Sequence, residues 1–248
     1  MLVPDRLQYE NLCVVLVAPR NPLNIGAAAR AMSNFGFSQL RLVAPYELSF
    51  REAQSAVGAQ DILGSAAVFQ TVADAIADCS LVVGTTVGRA RELQQVIHPL
   101  QDGAQLVRRQ LVRSRVALLF GSEKRGLSND DFSHCNWLMR IPTRDPHPSM
   151  NLGQAAAVCL WEVSRLSAKV ELPAETEALA SADEFERVTQ MLIESLSESG
   201  YINPISRSSG ELKIRRMVRR TKMNSEDAQL WLGMLRQILW KLHSKDNE

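Results

Sequence analysis

The chain reads as an α/β protein built on a mostly parallel sheet, followed by a small all-α extension. Three observations carry that expectation. Apolar runs too continuous for a half-exposed strand recur through the first two-thirds of the chain. Segments of helical period separate them. No strand pattern returns after about residue 180, where only amphipathic helical segments follow.

Leu12 to Ala18 (LCVVLVA) is such a run, and Leu40 to Val43, Leu81 to Thr85, Val116 to Phe120 and Leu138 to Ile141 are shorter ones bounded by turn residues. A helix is expected from about Ile25 to Phe35, with Gly36 as its C-cap. Further helices are expected over Arg51 to Gly58, Val72 to Asp78, Ala104 to Arg113 and Leu152 to Leu166. Lys169 to Ala182 (KVELPAETEALASA) is polar and acidic and holds a proline, so it reads as a linker. Beyond it, Asp183 to Ser199 is amphipathic through Phe185, Val188, Leu192, Ile193 and Leu196. Glu211 to Lys222 is a basic helix. A third helix, capped by Asn224 or Ser225, has its apolar face at Trp231, Leu235, Ile238, Leu239 and Leu242. The expected division is residues 1–167, a linker over 168–182, and a helical domain over 183–248.

Composition narrows the classes. Hydrophobic residues are 46% of 248, enough for a full-sized core, and the formal net charge is +1. Any nucleic-acid contact must therefore come from local charge. Cys13, Cys79, Cys135 and Cys159 are scattered without metal-site spacing, which suits a reducing compartment. No signal-peptide stretch and no membrane-length run is visible, so a cytoplasmic protein is expected.

Three segments fall after strands, where an open α/β sheet keeps its site. Pro19 to Arg30 (PRNPLNIGAAAR) passes from a Pro/Asn-rich turn into a helix of small residues, with Arg30 about one turn in. It lacks the GxGxxG of a dinucleotide site. Leu118 to Leu127 (LLFGSEKRGL) carries Gly121, Glu123 and Gly126 in a turn, where glycine permits close backbone approach. Arg140 to Gln154 (RIPTRDPHPSMNLGQ) is stiffened by prolines and delivers Ser149, Met150 and Asn151 to a helix start, where Ser149 or Asn151 could cap. Each has a plain structural reading: a packed helix with Arg30 in a salt bridge, a solvated charge cluster, and a simple cap.

Taken in order, NPLNIGAAAR, LLFGSEKRGL and IPTRDPHPSMNLGQAAAV resemble the three motifs of the TrmH-like branch of the SPOUT methyltransferases, over roughly Leu12 to Leu166. Within that branch the order of domains and the LVVGTT segment, Leu81 to Thr86, resemble the TrmJ type. That type methylates a pyrimidine ribose at position 32 in the tRNA anticodon loop. The resemblance implies a C-terminal deep trefoil knot, which no periodicity argument yields. It also implies a homodimer without membrane association, tRNA as substrate, and S-adenosyl-L-methionine as cofactor with no metal. By similarity the cofactor would contact Thr85, Gly121, Glu123, Gly126, Ile141, Met150 and Leu152. Arg30 matches the arginine held to activate the ribose hydroxyl, as base or orienting group. A guanidinium keeps its proton, with a pKa above about 12, which favours electrostatic stabilisation of the alkoxide and contact with phosphate. Asn24 and Asn151 match positions that shape the site and hold Arg30. Ser149 matches a position near the reacting hydroxyl, and Glu123 one that fixes its loop and faces the cationic donor.

RNA contact is expected from Arg30, from Arg89 and Arg91 beside the LVVGTT loop, and from Lys213, Arg215, Arg216, Arg219 and Arg220 on the basic helix. The alternative for that helix is solvation or docking on an acidic surface. Ribosomal RNA as substrate, or a silent RNA-binding homologue, are the competing functions.

Overall fold

In a computed structural model the described residues are 9–46, 55–88, 95–144, 146–165, 179–202 and 207–245. Seven strands form one sheet: β1 (Leu12–Val17), β2 (Gln39–Val43), β3 (Ala67–Phe69), β4 (Leu81–Thr85), β5 (Ile97–Pro99), β6 (Val116–Phe120) and β7 (Trp137–Arg140). Their order is β3-β2-β1-β6-β4-β7-β5, and every pairing is parallel. β1 and β6 are buried throughout, as a sheet covered on both faces requires. β7 lies between β4 and β5, both of which precede it in the chain.

Alternate residues of β1 face opposite layers. Leu12, Val14 and Leu16 join the core formed with α1 (Pro22–Phe35), α4 (Leu100–Leu111) and α6 (Leu152–Ser164). Cys13, Val15 and Val17 join the opposite core, which α3 (Val72–Ile76) and α5 (Asn129–Ser133) cover. The small residues of α1 allow it to lie against α6. A Cβ on Gly153 would stand 2.6 Å from the Ala27 Cβ.

Several boundaries differ from the sequence expectation. α1 starts at Pro22, three residues before Ile25, because Asn21 caps it by accepting from the Leu23 amide and proline suits the first turn. Arg30 consequently lies two turns into the helix. α4 begins at Leu100, a turn ahead of Ala104. Residues 55–58 form a turn rather than the end of a helix, and the short α2 (Gln60–Gly64) follows; 51–54 lie outside the described residues. β1 stops at Val17 because Ala18 takes a left-handed φ of 47°. The three-residue edge strands β3 and β5 carried no expectation, being too short to show a period.

The C-terminal helices are α7 (Ala182–Glu198), α8 (Arg207–Arg220) and α9 (Ser225–Lys245). Phe185, Val188 and Ile193 of α7 pack with Ile214 and Val218 of α8 and Ala228, Leu232 and Leu235 of α9. Leu179–Ala182, the end of the stretch read as a linker, is held. The Ala180 amide donates to the Met223 carbonyl, and the Ala182 and Asp183 amides donate to the carbonyls of Cys79 and Ala77. Ser181 and Glu184 close a capping box at the start of α7. No described helix is long and apolar enough to cross a membrane.

Candidate active site

The loops that leave the carboxyl ends of β1, β6 and β7 meet through three side chains. Glu123, in the loop after β6, accepts from the backbone amides of Arg20 (2.9 Å) and Asn21 (3.1 Å) and from Asn24 Nδ2 (2.9 Å). Asn24 Oδ1 in turn accepts from Asn151 Nδ2 at 2.8 Å. Asn151 Oδ1 accepts from the Gly153 amide at 2.9 Å and, longer, from the Gln154 amide, so it is also the N-cap of α6. One end of the asparagine starts the helix and the other holds the neighbouring loop. Burial works against a charged Glu123, but the hydrogen bonds from Asn24 and the loop amides outweigh it and lower the carboxyl pKa.

The Glu123 loop is shaped by its glycines. Gly126 takes a φ of 65°, and its amide donates back to the Ser122 carbonyl at 2.8 Å. A Cβ on Gly121 would stand 2.0 Å from the Gly126 carbonyl carbon, so no side chain fits there.

Beside this network is a cavity of about 430 Å³, a size suited to a small organic ligand. Its lining includes Thr85, Gly121, Glu123, Gly126, Ile141, Ser149, Met150 and Leu152, so the structure gathers every residue expected to bind cofactor, together with Ser149. Thr85 is oriented by its hydroxyl donating to the Leu119 carbonyl at 2.9 Å. Sequence reasoning missed Thr143 and Pro148, which also line the cavity; the Thr143 hydroxyl donates to the Pro148 carbonyl at 2.9 Å. The proline spacing of that loop was the available signal for a wall.

Arg30 and the two asparagines stand differently from the sequence expectation, while Glu123 fixes its loop as expected. Arg30 is exposed, does not line the cavity, and makes no hydrogen bond or ion pair with a described residue. Asn151 holds Asn24, and Asn24 holds Glu123; neither asparagine bonds Arg30. The Glu123 carboxylate is already engaged by three donors, so it acts first as a clamp between loops.

The basic helix α8 is also not the uniformly solvated surface that its composition suggested. Arg219 is 2% exposed, lies over the Phe185 ring at 5.3 Å, and donates to the Ala182 carbonyl at 3.2 Å. Burial lowers its pKa to about 10. Arg215 is largely buried and donates to both Glu186 oxygens at 3.1 Å and to the Ser133 hydroxyl at 3.3 Å, with Asp130 at 3.6 Å. Neither is presented to a phosphate. Docking on an acidic surface, this chain's own, describes Arg215, whereas Arg219 is held by an aromatic ring and a backbone carbonyl. Lys213 and Arg220 are exposed and Arg216 is half-buried. Arg89 and Arg91 lie outside the described residues.

A parallel sheet whose loops after β4, β6 and β7 line one cavity, with the loop after β1 tied to them through Asn24, defines an α/β RNA methyltransferase of the SPOUT class. The model of the SpoU rRNA methylase family matches residues 11–161, and the chain belongs to that family. Among its relatives, the tRNA (cytidine/uridine-2′-O-)-methyltransferase TrmJ of Sodalis glossinidius is 34% identical over 237 residues, 92% of this chain and 91% of the relative. That of Yersinia enterocolitica is 33% identical over 236 residues, 92% and 91% of the two chains. The crystal structure of TrmJ from Z. mobilis ZM4 superposes with a TM-score of 0.82 at 33% identity, covering 91% of this chain and 98% of that one.

Proposed function

We propose that the chain methylates the ribose 2′-hydroxyl of a pyrimidine at position 32 in the tRNA anticodon loop. The observation that carries this reading is the extent of the likeness. It runs over 92% of the chain, well past the family domain ending at residue 161, and the relatives sharing that extent are named for cytidine/uridine 2′-O-methylation of tRNA. Ribosomal RNA, which the family's name carries, is the second reading. We take residues 1–167 as the methyltransferase domain, 168–182 as the linker and 183–248 as the helical domain that meets RNA.

The cavity suits S-adenosyl-L-methionine. Ile141, Leu152 and Met150 offer apolar surface to a flat adenine, and the loop after β6 offers backbone groups to its polar edge. When bound, that cofactor supplies the methyl group from a sulfonium, without metal or redox chemistry. The protein's part is to position the hydroxyl and to stabilise charge on it. Ser149 lines the cavity, which supports its expected place beside the reacting hydroxyl. Arg30, permanently protonated, favours the developing alkoxide and the adjoining phosphate, while the hydroxyl proton passes to water or phosphate. Arg30 stands outside its own chain's cavity, which supports a reading in which it serves the cavity of a second subunit in a cytoplasmic homodimer. Lys213, Arg216 and Arg220 supply the phosphate contacts. The expected trefoil knot is part of this reading by resemblance, and the insertion of β7 between β4 and β5 is compatible with it.

The test is methyl transfer from labelled S-adenosylmethionine to unmodified total tRNA and to ribosomal RNA in parallel, mapped by mass spectrometry. A 2′-O-methylated pyrimidine at tRNA position 32 is expected. Label in ribosomal RNA alone would replace the substrate, and label in neither, with cofactor bound, would leave a silent RNA-binding protein.

A further inference from the structure

We infer that α9 is a self-association surface: its outward face pairs with α9 of a second copy, antiparallel, about a twofold axis at Met234. The inward face of α9 is accounted for by Ala228, Leu232, Leu235 and Leu239, all buried. Alongside it runs a second apolar row in solvent: Leu230 (63% exposed), Met234 (44%) and Ile238 (48%), flanked by Trp231 (40%). Leu230, Met234 and Ile238 stand four residues apart, so they align on one side of the helix. Monomeric proteins seldom leave such a row uncovered.

Charge names the occupant. Asp227 lies seven residues before Met234, and Lys241 seven after it. Both are exposed, fall on the same side as the row, and have no ion-pair partner among the described residues. The row is therefore a palindrome in chemistry: acid, aliphatic, Met234, aliphatic, base. A twofold axis through Met234 sets Leu230 of one copy against Ile238 of the other. It also sets Asp227 against Lys241 at both ends, about 10 Å from the axis at 1.5 Å per residue. A twofold interface must be complementary to itself, which this row is. A parallel pairing in register would oppose like charges. The patch is small, so the contact alone falls at the weak end of interface sizes and operates together with other contacts or at high concentration. It does not depend on the methyl-transfer reading and is separate from the Arg30 contact.

The four native cysteines are buried, so an added surface cysteine reports alone. Met234→Cys and, about 120° round the helix, the exposed Trp240→Cys would be treated with a short bis-maleimide over a range of concentrations of the full chain. The expected result is a covalent dimer from Met234→Cys at least tenfold faster than from Trp240→Cys. Adding Asp227→Lys or Lys241→Asp to Met234→Cys should slow it, and adding both together should restore it. Equal rates at the two positions, or a Met234→Cys rate indifferent to the charge exchanges, would overturn the pairing. Protection of Met234→Cys by added tRNA, with no crosslink in its absence, would give the face to RNA instead.

Discussion

Asn24 and Glu123, separated by 99 positions in the chain, are joined at 2.9 Å, and the same asparagine holds Asn151 with its other end. A side-chain amide suits this place because it presents a donor and an acceptor at once. Asn24→Ala should remove both bonds, lower the melting temperature by several degrees and cut methyl transfer at least tenfold, with cofactor affinity falling as well. Asn24→Asp should be worse at neutral pH, since it sets a second carboxylate against Glu123. Melting curves at pH 7 and pH 3.5 would show the gap between the two variants narrowing, since the Glu123 carboxyl is held below the usual carboxylate range and protonates only in that more acid window. A gap independent of pH would mean that the bond to Glu123 matters only sterically.

Arg30→Ala should abolish turnover and leave cofactor affinity within a few-fold. The residue is exposed and unpaired among the described residues, so stability should change by no more than about 0.5 kcal/mol. Isothermal titration with cofactor beside single-turnover kinetics separates the effects. Equal loss of binding and rate would make Arg30 structural.

His134 should make the junction with the C-terminal helices sensitive to acid. Burial, then the neighbouring Arg215, hold its pKa down at about 4, against about 6.5 in an unfolded chain. Glu186 is 3.7 Å from Nδ1, but the imidazole is neutral at pH 7 and the contact is then no ion pair. Asp130 and Arg219 are the remaining charged groups facing it. The unfolded state takes up the proton first, so this stability is fully present above pH 6.5 and drains away as pH falls towards 4. Urea midpoints measured from pH 7.5 to 4.5 should decline more steeply for the native protein than for His134→Gln.

The arginines of α8 should divide into two groups. Arg219→Ala leaves the Phe185 ring and the Ala182 carbonyl without their partner, and should lower the melting temperature with or without RNA. Lys213→Glu with Arg220→Glu should leave melting unchanged, raise the RNA KM, and flatten the dependence of binding on salt. An unaltered salt slope would remove α8 from the RNA surface.

The parts of this architecture legible in the sequence were those with a long signal. β1 and β6 show as continuous apolar runs, and the helices of the C-terminal third show by their period. The cavity lining was legible through resemblance, because it comes from contiguous stretches: the second and third motifs and the LVVGTT segment. Side-chain pairing across the fold was not. Nothing local marks Asn24 as the neighbour of Glu123 and Asn151, and nothing in the run RRMVRR separates the buried Arg219 from the exposed Arg220. Helical period could have hinted at it, since Arg215 and Arg219 stand one turn apart and flank the apolar Ile214 and Val218.

The three loops knotted by Asn24, Glu123 and Asn151 form a rim that cannot part without breaking several bonds together. The Pro-rich wall opposite is built otherwise. Among the described residues, the hydrogen bonds of Thr143 and His147 run within the loop itself, to Pro148 and Arg144. The cavity thus has one wall cross-tied between three loops and another whose described hydrogen bonds stay within a single loop.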